Sequence, residues 1–168
     1  MELVLCDKHQ KEILLNLYQL YLHDLSEYSS YIEIGSHGLF DFGNNHLYWE
    51  KKDSLYPYLI IHNGLPVGFI LLAGQPYTFP DTDYSLQEIF LLRNHRRKGL
   101  GRQAIRQLFN IHPGKYYVCQ LAKNNPALSF FRNLYREFDI PYRDEVDLYE
   151  GQEVAVQKFH SSPMDPRN

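Results

Sequence analysis

The chain has 168 residues and a formal net charge of −3, with 44% apolar and 22% charged residues. These values are typical of one globular domain with a sizeable core, and the acidic balance argues against a general nucleic-acid binder. Cys6 and Cys119 are too few for a disulfide framework or a cysteine metal site. The N-terminus lacks the basic segment and apolar core of a signal peptide, and no apolar stretch is long enough to span a membrane. We therefore expect a cytoplasmic protein.

The first half of the chain predicts a strand, a helix and a β-hairpin. Residues 2–6 (ELVLC) favour a short strand, and apolar residues at helical spacing from Lys8 to Ser26 predict an amphipathic helix. Residues 27–55, rich in Tyr, His, Gly and Asn, indicate a short second helix with a loop. Two apolar runs within residues 56–74 flank Asn63-Gly64, a dipeptide typical of tight hairpins.

The second half alternates strands with helices and then ends in two strands. Residues 84–92 predict a strand, residues 99–110 a helix and residues 115–122 another strand. Asn125 is the expected N-cap of the next helix, with Pro126 in its first turn, and two final strands flank a Glu150-Gly151 turn.

This order predicts an α/β (α+β) fold: a twisted, mostly antiparallel sheet of about six or seven strands flanked by helices. We expect one domain over residues 1–160. Residues 161–168 are polar and contain proline, so we expect a flexible C-terminal tail.

Positive charge concentrates immediately after the strand at residues 84–92. No acidic residue lies between Ile89 and Gly114, and a turn containing Gly99 and Gly101 opens the following helix. Such a turn leaves helix amides unpaired at the positive end of the helix dipole, which makes an anion site. Glycines allow a phosphate to approach the backbone. The span holds six basic residues: Arg93, Arg96, Arg97, Lys98, Arg102 and Arg106.

Phosphate binding explains this pattern better than a solvated basic surface does. The P-loop pattern G-x-x-x-x-G-K-[ST] is absent. Residues 99–104 match the dinucleotide pattern G-x-G-x-x-A, but a charged hexapeptide separates them from the strand. The acidic residue expected about 20 positions further on is also missing. A nucleic-acid surface is a weaker reading, because it needs a broader basic face.

A third phosphate-binding pattern fits. The run from Arg96 to Gly101 resembles the [QR]-x-x-G-x-[GA] pyrophosphate loop of the GNAT superfamily of N-acetyltransferases. Asn124-x-x-Ala127-x-x-Phe130-Phe131 resembles that family's N-x-x-A-x-x-[FLY]-[YF] pattern. The resemblance covers residues 56–138. The core E-x-F-x-L-R-x-x-R-R-x-G-x-G is similar to that of a group of uncharacterised bacterial acetyltransferases.

The resemblance implies the GNAT fold, with its sheet splayed between the fourth and fifth strands to admit acetyl-CoA as co-substrate. The backbones of Leu91 and Leu92 would pair with the pantetheine arm. Arg96 or Lys98 would meet the outer phosphates, and Arg102 would help to hold the pyrophosphate. The amides expected to hold that pyrophosphate belong to Arg97, Lys98, Gly99, Leu100 and Gly101.

On the same basis, Asn124 would touch the pantetheine or thioester, and Phe130 and Phe131 would pack against the cofactor. Glu88 is the candidate general base, because the family often carries a carboxylate on this strand; the alternative is a solvated strand-end residue. Phe131 stands where many members carry a Tyr, and Phe cannot donate a proton. Tyr135, one helical turn further on, is the candidate general acid, with water as the alternative.

Cys119 could form a covalent acetyl intermediate, but a small buried strand residue is the favoured interpretation. The acceptor side in the family corresponds to residues 27–55. Glu27, Glu33 and Asp41 lie there beside aromatic residues and suit a cationic amine, although the aromatics could instead complete the core. The eight histidines show no metal-ligand spacing, so we expect no metal.

The expected function is acetyl-CoA-dependent N-acetylation of a primary amine of a small molecule or peptide, by direct attack on the thioester. The alternative is a non-catalytic CoA-binding sensor or partner module. We expect no nucleic-acid or membrane partner, an acceptor amine that the sequence does not identify, and a monomer or homodimer.

Overall fold

The computed structural model describes residues 1–164, which form one sheet with helices on both faces. The α-helices are α1 (Lys11–Leu25), α2 (Leu100–Ile111) and α3 (Asn125–Glu137). Short 3-10 helices cover Lys8–Gln10, Asn45–Trp49 and Arg93–His95. The seven strands within the described range are β1 (Glu2–Leu5), β2 (Leu55–His62), β3 (Leu65–Gly74), β4 (Tyr84–Leu91), β5 (Gly114–Leu121), β6 (Tyr142–Tyr149) and β7 (Gln152–Ser161).

The strands lie in the order β1-β2-β3-β4-β5-β7-β6. Every neighbouring pair is antiparallel except β4 and β5, which are parallel. This arrangement confirms the predicted mixed, mostly antiparallel sheet. The connection from β4 to β5 runs through α2, as a parallel crossover requires.

Local sequence signals account for most element boundaries. Asn63 and Gly64 both have positive φ, as a two-residue hairpin turn needs. The helix predicted from Lys8 begins as a 3-10 turn, and α1 proper starts at Lys11. The predicted N-cap of α3 is wrong by one residue: Asn124 is the cap, and its Oδ1 accepts a hydrogen bond from the Ala127 N–H at 3.1 Å.

Each face of the sheet carries its own core. Helices α2 and α3 pack on one face, where the largest fully buried side chains include Tyr116, Tyr135 and Phe109. Helix α1 and the 3-10 helix Asn45–Trp49 pack on the other face over β2, β3 and β4. The β5–β7 part of that second face carries only a small apolar cluster, which contains Tyr117 and Val154.

β4 and β5 stay together for only three residue pairs. These are Tyr84 with Tyr116, Ser85 with Tyr117 and Leu86 with Val118. The pairing of β4 with β3 then shifts, because Leu72 faces Leu86 whereas Leu71 faces Glu88, which leaves Gln87 as the extra residue of a β-bulge. Bulges bend a strand and re-aim its side chains. Beyond this point the two strands separate, which confirms the splay that the resemblance implies.

The end of the chain is tied to the domain as far as it is described. Ser161, the first residue of the predicted tail, is the last residue of β7 and is fully buried. The Met164 backbone N–H donates to Asn110 Oδ1 at 2.6 Å. The predicted tail residues 165–168 lie outside the described residues. Among the helices formed by residues 1–164, none has the length and apolarity that crossing a membrane requires.

His112 closes α2 inside an aromatic cluster. Its Nε2 lies 2.8 Å from the Tyr58 hydroxyl, and its ring centroid is 4.6 Å from that of Tyr56 and 5.1 Å from that of Tyr84. Burial lowers the pKa of His112 below its usual value. The folded state therefore resists protonation that the unfolded chain accepts at a pKa of about 6.5.

We expect this histidine to make folding acid-sensitive. As the pH falls below about 6.5, the unfolded state binds the additional proton and the free energy of unfolding decreases. In His112→Gln, the free energy of unfolding should decrease less between neutral and mildly acidic pH. Urea unfolding at several pH values measures this slope. His37→Gln, at an exposed histidine, is the matched control and should keep the wild-type slope. Equal slopes for all three proteins would contradict this account.

Candidate active site

The gap between β4 and β5 opens into a cleft of about 650 Å³. Side chains from α1, the loop after β3, both strands, the start of α3 and the β6–β7 hairpin line it. The parting of the two strands at Leu86 and Val118 thus creates a space that reaches through the sheet. A single opening can therefore receive two molecules from opposite faces.

Glu88 lies in this cleft, immediately after the bulge. Burial raises the pKa of its carboxyl from 4.5 to about 7, and a hydrogen bond donated by the Tyr21 hydroxyl offsets part of the rise. The alternative of a solvated strand-end glutamate does not hold. A carboxylate that takes up a proton near neutral pH is suited to general base catalysis.

Tyr21 is a cleft residue that the sequence analysis did not single out. It appears in the sequence only as one apolar position of a helical pattern, 67 residues away from Glu88. Its ring packs edge-on against Phe69 and Phe90, with centroids 5.8 and 6.1 Å apart. The aromatic contacts hold the phenol so that it orients the Glu88 carboxylate.

The start of α2 offers free backbone donors. Gly99 caps the helix in a left-handed conformation, φ 78°, and the Gln103 N–H makes the first helical bond to its carbonyl at 3.0 Å. Within residues 1–164, no acceptor meets the amides of Leu100, Gly101 and Arg102. A Cβ at Gly99 would meet only side-chain tips, the nearest at 3.6 Å. This end of the helix therefore fits an anion.

Gly101 serves packing, in contrast to the expectation that both glycines admit phosphate. A Cβ at this position would lie 3.2 Å from Phe130 Cε2 and 3.4 Å from Leu91 Cδ1. Phe130 stands on α3 and Leu91 on β4. The missing side chain therefore lets the first turn of α2 approach both elements closely.

The basic cluster divides into paired and free side chains. Arg93 contacts Asp24 of α1 at 2.6 Å, and Arg96 contacts the other oxygen of the same carboxylate. Arg102 pairs with Glu137 at 2.6 Å. The pairs with Asp24 anchor the loop between β4 and α2 to α1, and the pair with Glu137 joins α2 to α3.

Two exposed cations of the cluster remain available. Arg97 and Lys98 make no ion pair within the described part of the chain. The expectation that Arg96 meets outer phosphates is not matched by its position, because its Nε also donates to the Leu91 carbonyl at 2.7 Å. Lys98, the other residue considered for that role, is free for it.

Of the two backbone positions predicted to pair with the pantetheine arm, only Leu91 directs its N–H towards the gap between β4 and β5. The Leu92 N–H donates to the Val67 carbonyl of β3 at 2.9 Å, so it points away from the gap. Because antiparallel strands alternate the direction of their amides, the Leu91 N–H points to the gap. The Leu91 carbonyl accepts the hydrogen bond from Arg96 Nε.

The α3 side of the cleft brings together Asn124, Phe131 and Gln120. Asn124 Oδ1 is engaged in capping α3, and Phe131 is buried with its ring 5.1 Å from that of Phe130. Gln120 is a second residue that the sequence analysis missed. Its amide is buried, and neither its nitrogen nor its oxygen finds a partner among residues 1–164. A buried amide with no partner is costly unless a ligand satisfies it.

Comparison with known proteins agrees with this geometry. The model of the acetyltransferase (GNAT) family matches residues 14–134, which is more than half of the chain. The chain belongs to the GNAT acetyltransferase family. No curated protein matches it.

Solved GNAT-like structures share the fold across nearly the whole chain. A ribosomal-protein-alanine N-acetyltransferase from Brucella melitensis is 17% identical, covers 94% of this chain and 98% of its own, and has a TM-score of 0.62. An acetyltransferase from Thermus thermophilus is 18% identical, covers 95% of this chain and 97% of its own, and has a TM-score of 0.66. Salmonella typhimurium yncA, solved with its cofactor acetyl-CoA, is 12% identical, covers 100% of this chain and 98% of its own, and has a TM-score of 0.60.

Tyr135, the predicted general acid of this GNAT protein, lies in the core and not in the cleft. It is fully buried, with ring centroids 4.7 Å from Tyr142 and 4.8 Å from Phe159. Its hydroxyl has no partner in the described chain, and burial raises its pKa well above the usual value. The prediction is wrong because one more turn of α3 carries the side chain into the space between helix and sheet.

Cys119 lines the cleft but is a poor nucleophile. Burial raises the pKa of its thiol to about 11, so the thiolate is scarce at neutral pH. Reactive cysteines instead have lowered pKa values. The interpretation as a half-buried strand residue is therefore the better one. Residues 1–164 also contain no cluster of His, Cys, Asp and Glu that could hold a metal ion.

The segment of residues 27–55 completes the core and does not line the cleft. Phe40, Phe42 and Leu47 pack against the α1 cluster, while Glu27, Glu33 and Asp41 are absent from the cleft lining. The loop after β3 lines the cleft instead, through residues 76–80. The sequence contained no pattern that marked this loop.

Tyr135→Phe tests the core assignment. Removing a buried hydroxyl without a partner should leave the free energy of unfolding unchanged or raise it by up to about 1 kcal/mol. The rate of acyl transfer should stay within about twofold, whereas loss of a general acid costs about 10² to 10⁴. Urea unfolding and steady-state kinetics measure the two quantities. A hundredfold slower variant of unchanged stability would restore Tyr135 as the acid.

Proposed function

We propose that the protein is an acetyl-CoA-dependent N-acetyltransferase that acetylates a primary amine of a small molecule or peptide. The observation that carries the proposal is the Glu88 carboxyl, whose pKa is raised to about 7 in a cleft at the strand gap of a GNAT fold. The acetyl-CoA in the Salmonella typhimurium structure and the N-acetyltransferase activity named for the Brucella melitensis protein support it.

The chain offers matching groups for each part of acetyl-CoA. The free amides of α2 and the cations of Arg97 and Lys98 suit the pyrophosphate and outer phosphates. The Leu91 N–H suits the pantetheine arm. The unpaired amide of Gln120 can satisfy an amide of that arm, which removes its own desolvation cost. Phe130 and Phe131 supply apolar contact.

Glu88 carries the chemistry on the acceptor side. It accepts a proton from the amine, directly or through water, while the amine nitrogen forms a bond to the thioester carbonyl carbon. The C–S bond then breaks and releases the CoA thiolate. Thiols ionise with a pKa of about 8.5, so the thiolate leaves readily and can be protonated by solvent. Phe131 at the usual Tyr position is consistent with such an acid-independent step.

The second candidate function is a CoA-binding module without catalysis. Phe131 favours it, because this residue lines the cleft and removes the phenol that many family members use. The raised pKa of Glu88 favours the enzyme. Binding of acetyl-CoA without release of CoA over a broad panel of amines would decide for the module.

Glu88→Gln tests the base. The amide is close in size and can still accept the Tyr21 hydrogen bond, but it takes up no proton. We expect kcat to fall by about 10² to 10⁴ with unchanged affinity for acetyl-CoA. In the wild type, kcat/KM should rise with pH through about 7, the pKa of Glu88, because the base must be ionised.

Tyr21→Phe is the companion variant. It removes the hydrogen bond that lowers the pKa of Glu88, so the rising limb of the pH profile should move to higher pH while the activity at alkaline pH survives. An unchanged profile in Tyr21→Phe, or a Glu88→Gln enzyme of wild-type rate, would contradict the assignment of the base.

The anion site is tested by charge removal at matched positions. The double variant Arg97→Ala/Lys98→Ala should weaken acetyl-CoA binding about tenfold and reduce its salt dependence. Arg93→Ala/Arg106→Ala removes the same charge from side chains that contact Asp24 and Phe138, and it should bind almost normally. Calorimetry at low and high salt measures both. Equal losses of acetyl-CoA affinity in the two variants would show that the overall positive charge matters and not a specific site at Arg97 and Lys98.

A further inference from the structure

The acceptor side of the cleft has aromatic walls. On the face that carries α1, the loop after β3 reaches over β5, and the Phe79 ring stacks on Tyr117 with centroids 3.7 Å apart and planes at 17°. Tyr77 of the same loop and Tyr149 of the β6–β7 hairpin line the same cleft. We refer to Tyr77, Phe79, Tyr117 and Tyr149 as the aromatic groove.

The rings at the rim are accessible. Tyr77 is 40% exposed, Phe79 39% and Tyr149 57%. Tyr117 beneath them is buried. Flat side chains that keep one face in solvent beside a catalytic cleft offer stacking surfaces, and aromatic pairs gain free energy beyond their buried area. The groove is therefore suited to a flat ring.

The charged side chains that line the cleft limit which charged groups an acceptor can carry. Among the described residues that line it, Glu88 is the only carboxyl, and there is no Lys, Arg or His. A carboxylate on the acceptor would be desolvated without a cation to pair with. A second ammonium, in contrast, would find Asp147, which lies close enough to raise the pKa of Tyr117 and of Cys119. Only the carboxylate is therefore disfavoured, because a buried charge without a partner carries a large penalty.

We infer that the acceptor is an amine attached to an aromatic ring and carries no carboxylate. The ring lies in the aromatic groove and the ammonium meets Glu88, which then takes its proton. This inference rests on the proposed acetyl transfer, since it assigns the substrate class of the same site. It excludes free amino acids and purely aliphatic amines as preferred acceptors.

The test compares 2-phenylethylamine with an acceptor that adds a carboxylate and with one that lacks the ring, using the full chain and saturating acetyl-CoA. We expect kcat/KM for 2-phenylethylamine to exceed that for phenylalanine, which adds a carboxylate, and that for 1,4-diaminobutane by about tenfold or more. CoA release and mass spectrometry of the product measure the rates. Equal rates, or a preference for the amino acid or the diamine, would overturn the inference.

Variants locate the ring. Phe79→Ala should raise KM for 2-phenylethylamine about tenfold and leave KM for acetyl-CoA unchanged, whereas Phe79→Trp should keep the low KM because it keeps the stacking surface. Leu65→Ala, at an exposed apolar position of the β2–β3 hairpin, is the control and should match the wild type. An unchanged KM in Phe79→Ala would place the ring elsewhere and overturn the inference.

Binding separates this inference from the proposed function. If no amine is acetylated, the enzyme assignment fails, and calorimetry on the CoA-saturated protein still tests the acceptor class. Tighter binding of 2-phenylethylamine than of phenylalanine and 1,4-diaminobutane would then support the groove. Equal or absent binding of all three compounds would overturn the inference together with the enzyme.

Discussion

The short parallel contact between β4 and β5 is the constraint on which the site depends. Three residue pairs hold the strands together, and the bulge at Gln87 then ends the pairing. If the pairing continued, hydrogen bonds between the strands would close the gap and the Leu91 N–H would be used within the sheet. The bulge also brings Glu88 into the cleft. One local irregularity therefore provides the opening, a free backbone edge and the carboxylate.

The two sides of the opening are electrostatically different, and the difference is built from long-range pairs. On the α2 side, the two carboxylates of Asp24 and Glu137 pair with three of the six cations that the sequence concentrates there. The pairs bind the loop to α1 and α2 to α3, so Arg97 and Lys98 project from a segment that is held at both ends. On the α1 side, the Glu88 carboxyl lines the cleft together with aromatic side chains. The start of α2 is therefore suited to attract an anion, and the side of the cleft that holds Glu88 is suited to attract a cation.

Patterns that act over a few residues predicted the fold, whereas contacts between distant segments decided the site. The Asn63-Gly64 turn, the helical spacings and the glycine-rich start of α2 were readable because each is local. The pairing of Arg93 with Asp24 spans 69 residues and that of Tyr21 with Glu88 spans 67. Periodicity contains no information about such partners. The basic motif therefore predicted an anion site at α2, but not which of its cations form ion pairs.

Tyr135 shows the limit of spacing as an argument. A residue four positions after Phe131 shares its helix face, yet the cleft ends at Phe131 and the next turn enters the core. The direction of a helix relative to a sheet edge decides this outcome, and only packing reveals it. The loop after β3 illustrates the converse, because nothing in its sequence marks it as a cleft wall until Phe79 is seen against Tyr117.

The carboxyl that we propose as the general base also weakens the fold. Because the folded-state pKa of Glu88 is raised, the native protein holds a proton that the unfolded chain releases, and stability decreases as the pH rises from about 4.5 to 7. Above that range the ionised group costs about 1 to 3 kcal/mol, a large share of the 5 to 15 kcal/mol that holds a typical domain together. Tyr21 limits this cost by donating to the carboxylate. Because that hydrogen bond lowers the pKa of Glu88, it also keeps the base ionised close to neutral pH, so stability and reactivity meet in the same contact.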